Sequence, residues 1–309
     1  MSQVAVIIPA RNEEAVIGRS IDSILHQDVP VRIFVVDDHS TDRTVAEAQA
    51  IGAPPRLKIV SAPPLAEGWT GKLWAMSRGV AAAEAAGNFD YFLFTDADIV
   101  HSPDNVRLLI ARAEEGYDLV SWMVELSQQS FAERALVPAF VFFFFLLYPP
   151  SSGRGAAGGC MLIRPEALRR AGGLAAIRSE LIDDCALARV VRATGGRVFL
   201  APTRQTRSIR QYTTFAEIGR MISRSAFTQL RHSTFLLIAT IVGMALVFLT
   251  PLVLIMMLMF LRTLRYYGRS PLWALALPAI ALFYMGATIH SAIRYWQGRG
   301  GEWKGRVQA

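Results

Sequence analysis

Carboxylates in this chain gather in three places, each closing an apolar run. Val35-Val36-Asp37-Asp38-His39-Ser40-Thr41-Asp42 is the first, Phe92-Leu93-Phe94-Thr95-Asp96-Ala97-Asp98 the second, and Leu181-Ile182-Asp183-Asp184-Cys185 the third. Acids at the ends of buried strands need a positive partner, because an unpaired charge withdrawn from water is costly. A hard divalent cation fits that need, since Mg²⁺ keeps one or two carboxylates and takes other ligands from substrate phosphates. The pattern therefore points to chemistry on a nucleotide diphosphate. One such cluster would be an ordinary solvated turn. Three, in a chain that alternates strand and helix, argue for a site.

The elements that must hold these acids can be read from periodicity. Residues 3–9, 32–37, 57–61 and 90–95 are predicted strands, the first two apolar enough to be buried on both faces. Residues 119–126 add a fifth strand. Between them Ile17, Ile21, Ile24 and Leu25 repeat at helical spacing, with Asn12 as the expected cap. Residues 42–51 close on Gly52 and residues 72–86 on Gly87. Ser102-Pro103 opens a helix that Gly116 ends. This βαβα alternation predicts an α/β fold, a mostly parallel sheet with helices on both faces. Ligands of such sheets bind at the carboxyl ends of strands, where the first two acid clusters lie.

The chain has 309 residues, a formal charge of +7 and 52% hydrophobic residues. The apolar excess is concentrated after about residue 234. Residues 235–261 and 272–293 are each long enough to cross a bilayer, and Pro251 and Pro278 are tolerable kinks in such helices. They predict a transmembrane hairpin with both ends in the cytoplasm. Arg262, Arg265 and Arg269 in its loop run against the positive-inside rule, but the flanks are richer still in basic residues. Ahead of it, Ile218, Ile222, Ala226 and Leu230 share one helical face and Arg220, Arg224 and Arg231 another, an interfacial pattern. An ordinary amphipathic helix is the plainer alternative. The Phe140–Tyr148 patch between Pro138 and Pro150 holds about ten residues, too few for a core of about 30 Å. It reads as interfacial or re-entrant, with a buried core helix as the alternative. The tail from Tyr295 to Arg306 reads as an aromatic and basic interface anchor.

These spans divide the chain into a catalytic domain at 1–214, an interfacial helix at 215–234 and a membrane hairpin with basic tail at 235–309. Basic residues beside apolar spans favour anionic lipid headgroups, and no nucleic-acid motif accompanies them. Cys160 and Cys185 have no metal spacing and read as reduced core residues. The start lacks the regions of a signal peptide, so the first domain is expected in the cytoplasm.

Four motifs in order resemble the family 2 glycosyltransferases of the GT-A fold, over roughly residues 3 to 231. Pro9-Ala10-Arg11-Asn12-Glu13 is similar to their opening motif, Asp37-Asp38-His39-Ser40-Thr41-Asp42 to D-D-x-S-x-D, Asp96-Ala97-Asp98 to D-x-D, and Asp183-Asp184-Cys185-Ala186-Leu187-Ala188 to E-D-x-x-L-A with Asp for Glu. Gly68-Trp69-Thr70-Gly71-Lys72-Leu73-Trp74-Ala75 and the late hairpin resemble the hopene-associated glycosyltransferases of bacteria. The resemblance implies a membrane-bound inverting enzyme of the bacterial inner membrane, multi-pass, moving one sugar from a nucleotide-sugar, UDP-linked, to a lipid acceptor. A hopanoid is the implied acceptor and a polyprenyl phosphate its rival. A degenerate transferase acting as a lipid-binding scaffold is the non-enzymatic alternative. A nucleotidyltransferase is disfavoured because no Gly-rich loop follows the first strand.

The implied roles fall on particular residues. Pro9, Arg11, Glu13, Asp37 and Asp38 belong to the donor site, where carboxylates accept from nucleobase and ribose donors. Asp42 is better explained as a helix cap. Asp98, with Asp96, is expected to place Mg²⁺ or Mn²⁺ on the diphosphate. Lys72 adds a point charge there, from a helix start that disfavours cations. Trp69 and Trp74 read equally well as pocket or core. Asp184 is the expected general base, supported by Asp183, and Gly158-Gly159 permits close backbone approach near the acceptor. The family's Q-x-x-R-W is absent before the membrane spans, which argues against a processive polymerase. Arg220, Arg224 and Arg231 are the expected replacements on the donor diphosphate.

Overall fold

The computed structural model describes residues 2–249 and 253–301. The chain forms two compact units, one of residues 1–126 and 148–210, the other of 127–147 and 211–309.

Among the described residues the first unit carries all eight strands. β1 (Val4–Ala10), α1 (Ile17–Leu25), β2 (Val31–Asp37), α2 (Thr44–Ala50), β3 (Leu57–Ser61), α3 (Gly71–Glu84) and β4 (Tyr91–Thr95) alternate as the sequence predicts. β5 (Ile99–His101), α4 (Asn105–Glu114) and β6 (Leu119–Glu125) follow. After the segment belonging to the second unit come β7 (Cys160–Ile163), α6 (Pro165–Arg170), α7 (Asp183–Ala193) and β8 (Val198–Ser208). The strand order is β3-β2-β1-β4-β7-β6-β8-β5. The β3-β2-β1-β4 half is wholly parallel. Beyond it the sheet is mixed: β7 runs antiparallel to β4 and β6, and β5 antiparallel to β8, while β6 and β8 are parallel.

Alternation along the strands divides the core between the two faces of the sheet. Val4, Val6 and Ile8 pack with Ile17, Ile21 and Leu109 on one face. Ala5 and Ile7 pack with Leu73, Met76, Leu187 and Val191 on the other. Every residue of β1 is buried, as a central strand covered on both sides requires.

Two helix starts differ from expectation. Asn12 does not cap α1: it sits at φ 54°, and its Oδ1 accepts from the Thr41 backbone N–H at 2.8 Å. The helix begins only at Ile17, after a turn from Glu13 to Val16. α4 likewise starts at Asn105, because the Ser102 hydroxyl is spent on Asp104 and Gln205.

The second unit is helical: α5 (Phe131–Leu147), α8 (Phe215–Gln229), α9 (Thr234–Leu249), α10 (Val253–Tyr266) and α11 (Leu277–Trp296). Phe142, Ile218, Phe260, Leu277 and Tyr284 share its core. The patch expected between two prolines is part of a 17-residue helix with Pro138 inside it. Ala135, Leu136, Val137, Pro138 and Ala139 are buried, and Leu146 and Leu147 are exposed. A Thr214–Glu217 capping box starts α8.

The expected span 235–261 is described in two pieces. Its residues lie in α9 and α10, with 250–252, including Pro251, outside the described residues. α10 instead runs on through Arg262 and Arg265, which the sequence placed in a loop. There they lie near the negative end of the helix dipole. The described part of α9 has 16 residues, about 24 Å. Among the described residues only Pro271–Trp296 is long and apolar enough to cross a membrane by length and composition. Among the described residues, one span of the expected two-span, multi-pass hairpin is supported. Of the expected tail anchor, residues 302–309 lie outside the described residues.

Candidate active site

The carboxyl ends of β1 and β2 are neighbours in register, Ala10 opposite Asp37. The loops that leave them are stitched together. The Asn12 N–H donates to Ser40 Oγ at 3.0 Å and the Glu13 N–H to Thr44 Oγ1 at 2.6 Å. Arg11 donates to the Asp38 carbonyl at 2.7 Å and pairs with its carboxylate at 3.4 Å. Asp38 is fully buried. Asp37 is nearly so, with Oδ1 accepting from the Ser40 N–H. Asp42 accepts from both the backbone and the side chain of Thr44. Burial raises the Asp42 carboxyl, but those bonds and one from Glu14 outweigh it and hold it below the usual range.

β4 delivers Asp96 and Asp98, and each meets its own cation. Asp96 Oδ1 lies 2.9 Å from Lys72 Nζ, which also reaches Asp183 at 3.2 Å. Asp98 Oδ2 accepts from Ser208 Oγ at 2.7 Å and pairs with Arg210 Nε at 3.3 Å. Arg210 pairs in turn with the buried Glu13. The β5–β8 pairing makes this possible, because Ile99 stands opposite Ser208. Lys72 lies in the first turn of α3, facing the positive end of the helix dipole. Burial also disfavours its charge, yet Asp183, Asp96 and Asp184 together hold its pKa well above the ordinary lysine value.

Asp184 opens α7. Its Oδ2 accepts from the Gly158 N–H at 2.8 Å and its Oδ1 from the Cys185 N–H at 2.7 Å. Burial and the neighbouring Asp183 charge push its pKa up to about 6, against the opposing pull of Lys72 and the two N–H groups. A Cβ on Gly158 would stand 3.2 Å from Lys72 Nζ and 3.4 Å from Asp184 Oδ2. Glycine is what lets the backbone donate here. Lys72, Asp96, Asp183 and Asp184 thus form one group inside the first unit, and Glu13, Asp98 and Arg210 another beside Arg11, Asp37 and Asp38.

The sequence profile described as glycosyl transferase family 2 matches residues 5–172, more than half the chain. The chain belongs to glycosyl transferase family 2. A 4,4'-diaponeurosporenoate glycosyltransferase of Staphylococcus aureus (strain MRSA252) is 40% identical over 107 residues, 34% of this chain and 26% of that protein. The match thus spans about a quarter of that relative. The mannosyltransferase of Pyrobaculum calidifontis, solved with GDP-Man and Mn²⁺, superposes with a TM-score of 0.61 at 18% identity, over 94% of this chain and 87% of that one. Glucosyl-3-phosphoglycerate synthase of Mycobacterium tuberculosis, solved with Mn²⁺, UDP and phosphoglyceric acid, gives 0.50 at 24% identity over 74% and 78%. Both likenesses concern the fold alone.

In this family 2 transferase the donor set suits a hard divalent ion. Asp96 and Asp98 each have one carboxylate oxygen engaged by protein, Oδ1 and Oδ2 respectively, and the other without a hydrogen-bond partner among the described residues. Among the described residues no group of three or more His, Cys, Asp or Glu is placed to hold a metal ion. Two carboxylate oxygens and no more is the set expected of Mg²⁺ or Mn²⁺ that completes its shell with substrate phosphates.

Sequence reasoning assigned no role to three residues of the candidate site. Arg210 and Ser208 hold Asp98 from more than a hundred residues away, and only the β5–β8 pairing reveals them. His101 is buried beneath the D-x-D turn. Asn105 Nδ2 donates to its Nδ1 (2.9 Å), which leaves Nε2–H to donate to Thr95 Oγ1 (3.0 Å), while Thr95 donates to the Gly159 carbonyl. Burial drives the His101 pKa down to about 3, so the ring is neutral and fixes the turn. Trp69 and Trp74 meet edge to face at 5.3 Å, and Trp74 donates to the Pro63 carbonyl. Both cysteines are buried and free, as predicted. Arg220, Arg224 and Arg231 belong to the second unit.

Proposed function

We propose that this protein is a membrane-associated, metal-dependent, inverting glycosyltransferase. It moves one sugar from a nucleoside-diphosphate sugar, UDP-linked, to the hydroxyl of a lipid at the cytoplasmic face of a bacterial inner membrane. The observation that carries the reading is Asp184: a half-buried carboxylate with a pKa raised to about 6, held by the Gly158 N–H beside Lys72 and the D-x-D acids.

Asp184 takes the proton of the acceptor hydroxyl as that oxygen bonds to the anomeric carbon. The bond from that carbon to the diphosphate oxygen breaks, and its electron pair leaves with the nucleoside diphosphate. A single displacement from behind inverts the configuration. A Mg²⁺ or Mn²⁺ held by Asp96 and Asp98 would neutralise charge on the departing diphosphate. Lys72 and Arg210 are fixed positive charges beside the same two acids and serve the same end. Asp37 accepts from nucleobase or ribose donors, while Arg11, pinned on Asp38, shapes the loop after Pro9.

A lipid acceptor is supported by the exposed apolar side chains of the second unit and by the length of α11. The motif at Gly68–Ala75 favours a hopanoid hydroxyl, with a polyprenyl phosphate as the competing acceptor. The test is turnover by the full chain in detergent, with Mn²⁺ or Mg²⁺, UDP- and GDP-sugars and both lipid classes. Asp184→Asn should lose about 10²–10⁴-fold in rate, and Asp98→Ala should lose metal-dependent turnover. Wild-type turnover in Asp184→Asn would overturn the assignment. Donor binding that needs Asp98, without turnover on any acceptor, would make the protein a lipid-binding scaffold.

A further inference from the structure

In the second unit α8 and α11 run side by side in the same direction. The Phe215 ring meets Phe283 at 6.2 Å, and Phe227 meets Tyr295 at 5.6 Å and Trp296 at 5.7 Å. The Phe227 N–H donates to Ser291 Oγ at 3.1 Å. Along this seam lies an open groove of about 920 Å³. Its floor is small side chains. A Cβ added at Gly286 would meet nothing within 4 Å, whereas one at Gly219 would stand 3.3 Å from the Phe283 ring.

The two ends of the groove differ in chemistry. Phe215, Leu282 and Phe283 form one end, His290, Arg294 and Arg299 the other, and Arg220 rises between them. Among the described residues no carboxylate lines it. The apolar end continues outward. Leu275, Leu282, Ile289 and Ile293 recur at helical spacing along α11 and the turn before it, and all are exposed.

We propose that this groove binds one anionic phospholipid from the bilayer, its chain along Phe215, Leu282 and Phe283 and its phosphate at Arg220, Arg294 and Arg299. Guanidinium groups pair with phosphate oxygens in bidentate fashion and stay charged at any physiological pH. The volume falls within the usual range for a small-molecule site. Continuity with an exposed apolar stripe selects a lipid over free phosphate, which would gain nothing from Leu282 and Phe283. Arg220, expected from sequence on the donor diphosphate, acquires a different ligand. The inference goes beyond the proposed transfer reaction and stands without it.

The test is lipid binding to the purified full chain in neutral detergent, read by native mass spectrometry with phosphatidylglycerol, phosphatidylcholine and glycerol phosphate as separate arms. One phosphatidylglycerol is expected to bind about tenfold or more tighter than phosphatidylcholine, since the charged contacts exceed about 1.4 kcal/mol, and glycerol phosphate should not displace it. Arg294→Gln with Arg299→Gln should remove that preference. Gly286→Leu, whose Cβ meets nothing within 4 Å, fills part of the groove and should lower binding of the lipid about tenfold while leaving UDP-sugar binding unchanged. Equal binding of the two lipids, displacement by glycerol phosphate, or wild-type binding in Gly286→Leu would each overturn the proposal. Loss of sugar transfer with lipid binding intact would count against the transferase reading alone.

Discussion

Asp184 carries its negative charge against burial and against Asp183, with Lys72 and two backbone N–H groups pulling the other way. A general base works only when deprotonated, so the rate should rise with pH through a limb near pH 6 and level off above it. Replacing Lys72 by Met removes the cation that favours the ionised form. The limb should then move to higher pH, and turnover at pH 6 should fall more than turnover at pH 8. A pH profile of kcat/KM for wild type and Lys72→Met checks this; a limb that stays in place would show that Lys72 does not act on Asp184. These two residues were legible in the sequence, because motif order and a lysine at an unfavourable helix start both flagged them. Arg210 was not. Its link to Asp98 and Glu13 arises from a strand pairing between segments a hundred residues apart, and no local pattern encodes that.

The elements show where periodicity carries information and where it fails. β1 to β4 and their helices were readable because continuous apolar runs and amphipathic repeats leave one reading. β5 has three residues and β7 four, too few for a period. β8 reads Val198-Phe199-Leu200-Ala201-Pro202-Thr203-Arg204, and a proline in a polar stretch resembles a loop. Pro138 misled in the opposite direction: it looked like a boundary but lies inside α5, whose flanking residues Leu136, Val137 and Ala139 are all buried. Tertiary packing there outweighs one lost backbone hydrogen bond. A sharper consequence concerns α3. Gly79 faces the sheet, and a Cβ there would stand 2.4 Å from Ile7 Cγ2 and 3.0 Å from Val36 Cγ2. Elsewhere in a helix, Gly to Ala stabilises by about 1 kcal/mol. At Gly79 the sign should reverse, with Gly79→Ala costing roughly 1–3 kcal/mol through overpacking against β1 and β2. Urea unfolding followed by circular dichroism would test it, and a gain in stability would mean α3 is not seated on the sheet this closely.

At the scale of the whole molecule the two units solve opposite solvent problems. The first buries its apolar strands between helices and presents its acids at strand ends. The second builds a core around Phe142, Phe260 and Tyr284 yet leaves Phe235, Ile238, Val242 and Leu246 exposed on α9, and Leu254, Ile255 and Leu258 exposed on α10. The α9 set falls at helical spacing, so it forms a face rather than scattered side chains. A face of this kind marks an interaction surface, and each such side chain gains roughly 1.5–3 kcal/mol on full burial. Immersion of this face, together with the apolar 271–296 helix, is the arrangement that accounts for it. The full chain should therefore sediment with membranes and stay there after high salt and alkaline carbonate, which strip proteins held by charge alone. Ile238→Glu, Val242→Glu and Leu258→Glu together should move a large part of it to the supernatant, while UDP-sugar binding by the first unit persists. A wild-type chain that remains soluble and monodisperse without detergent would show that the exposed face has some partner other than lipid.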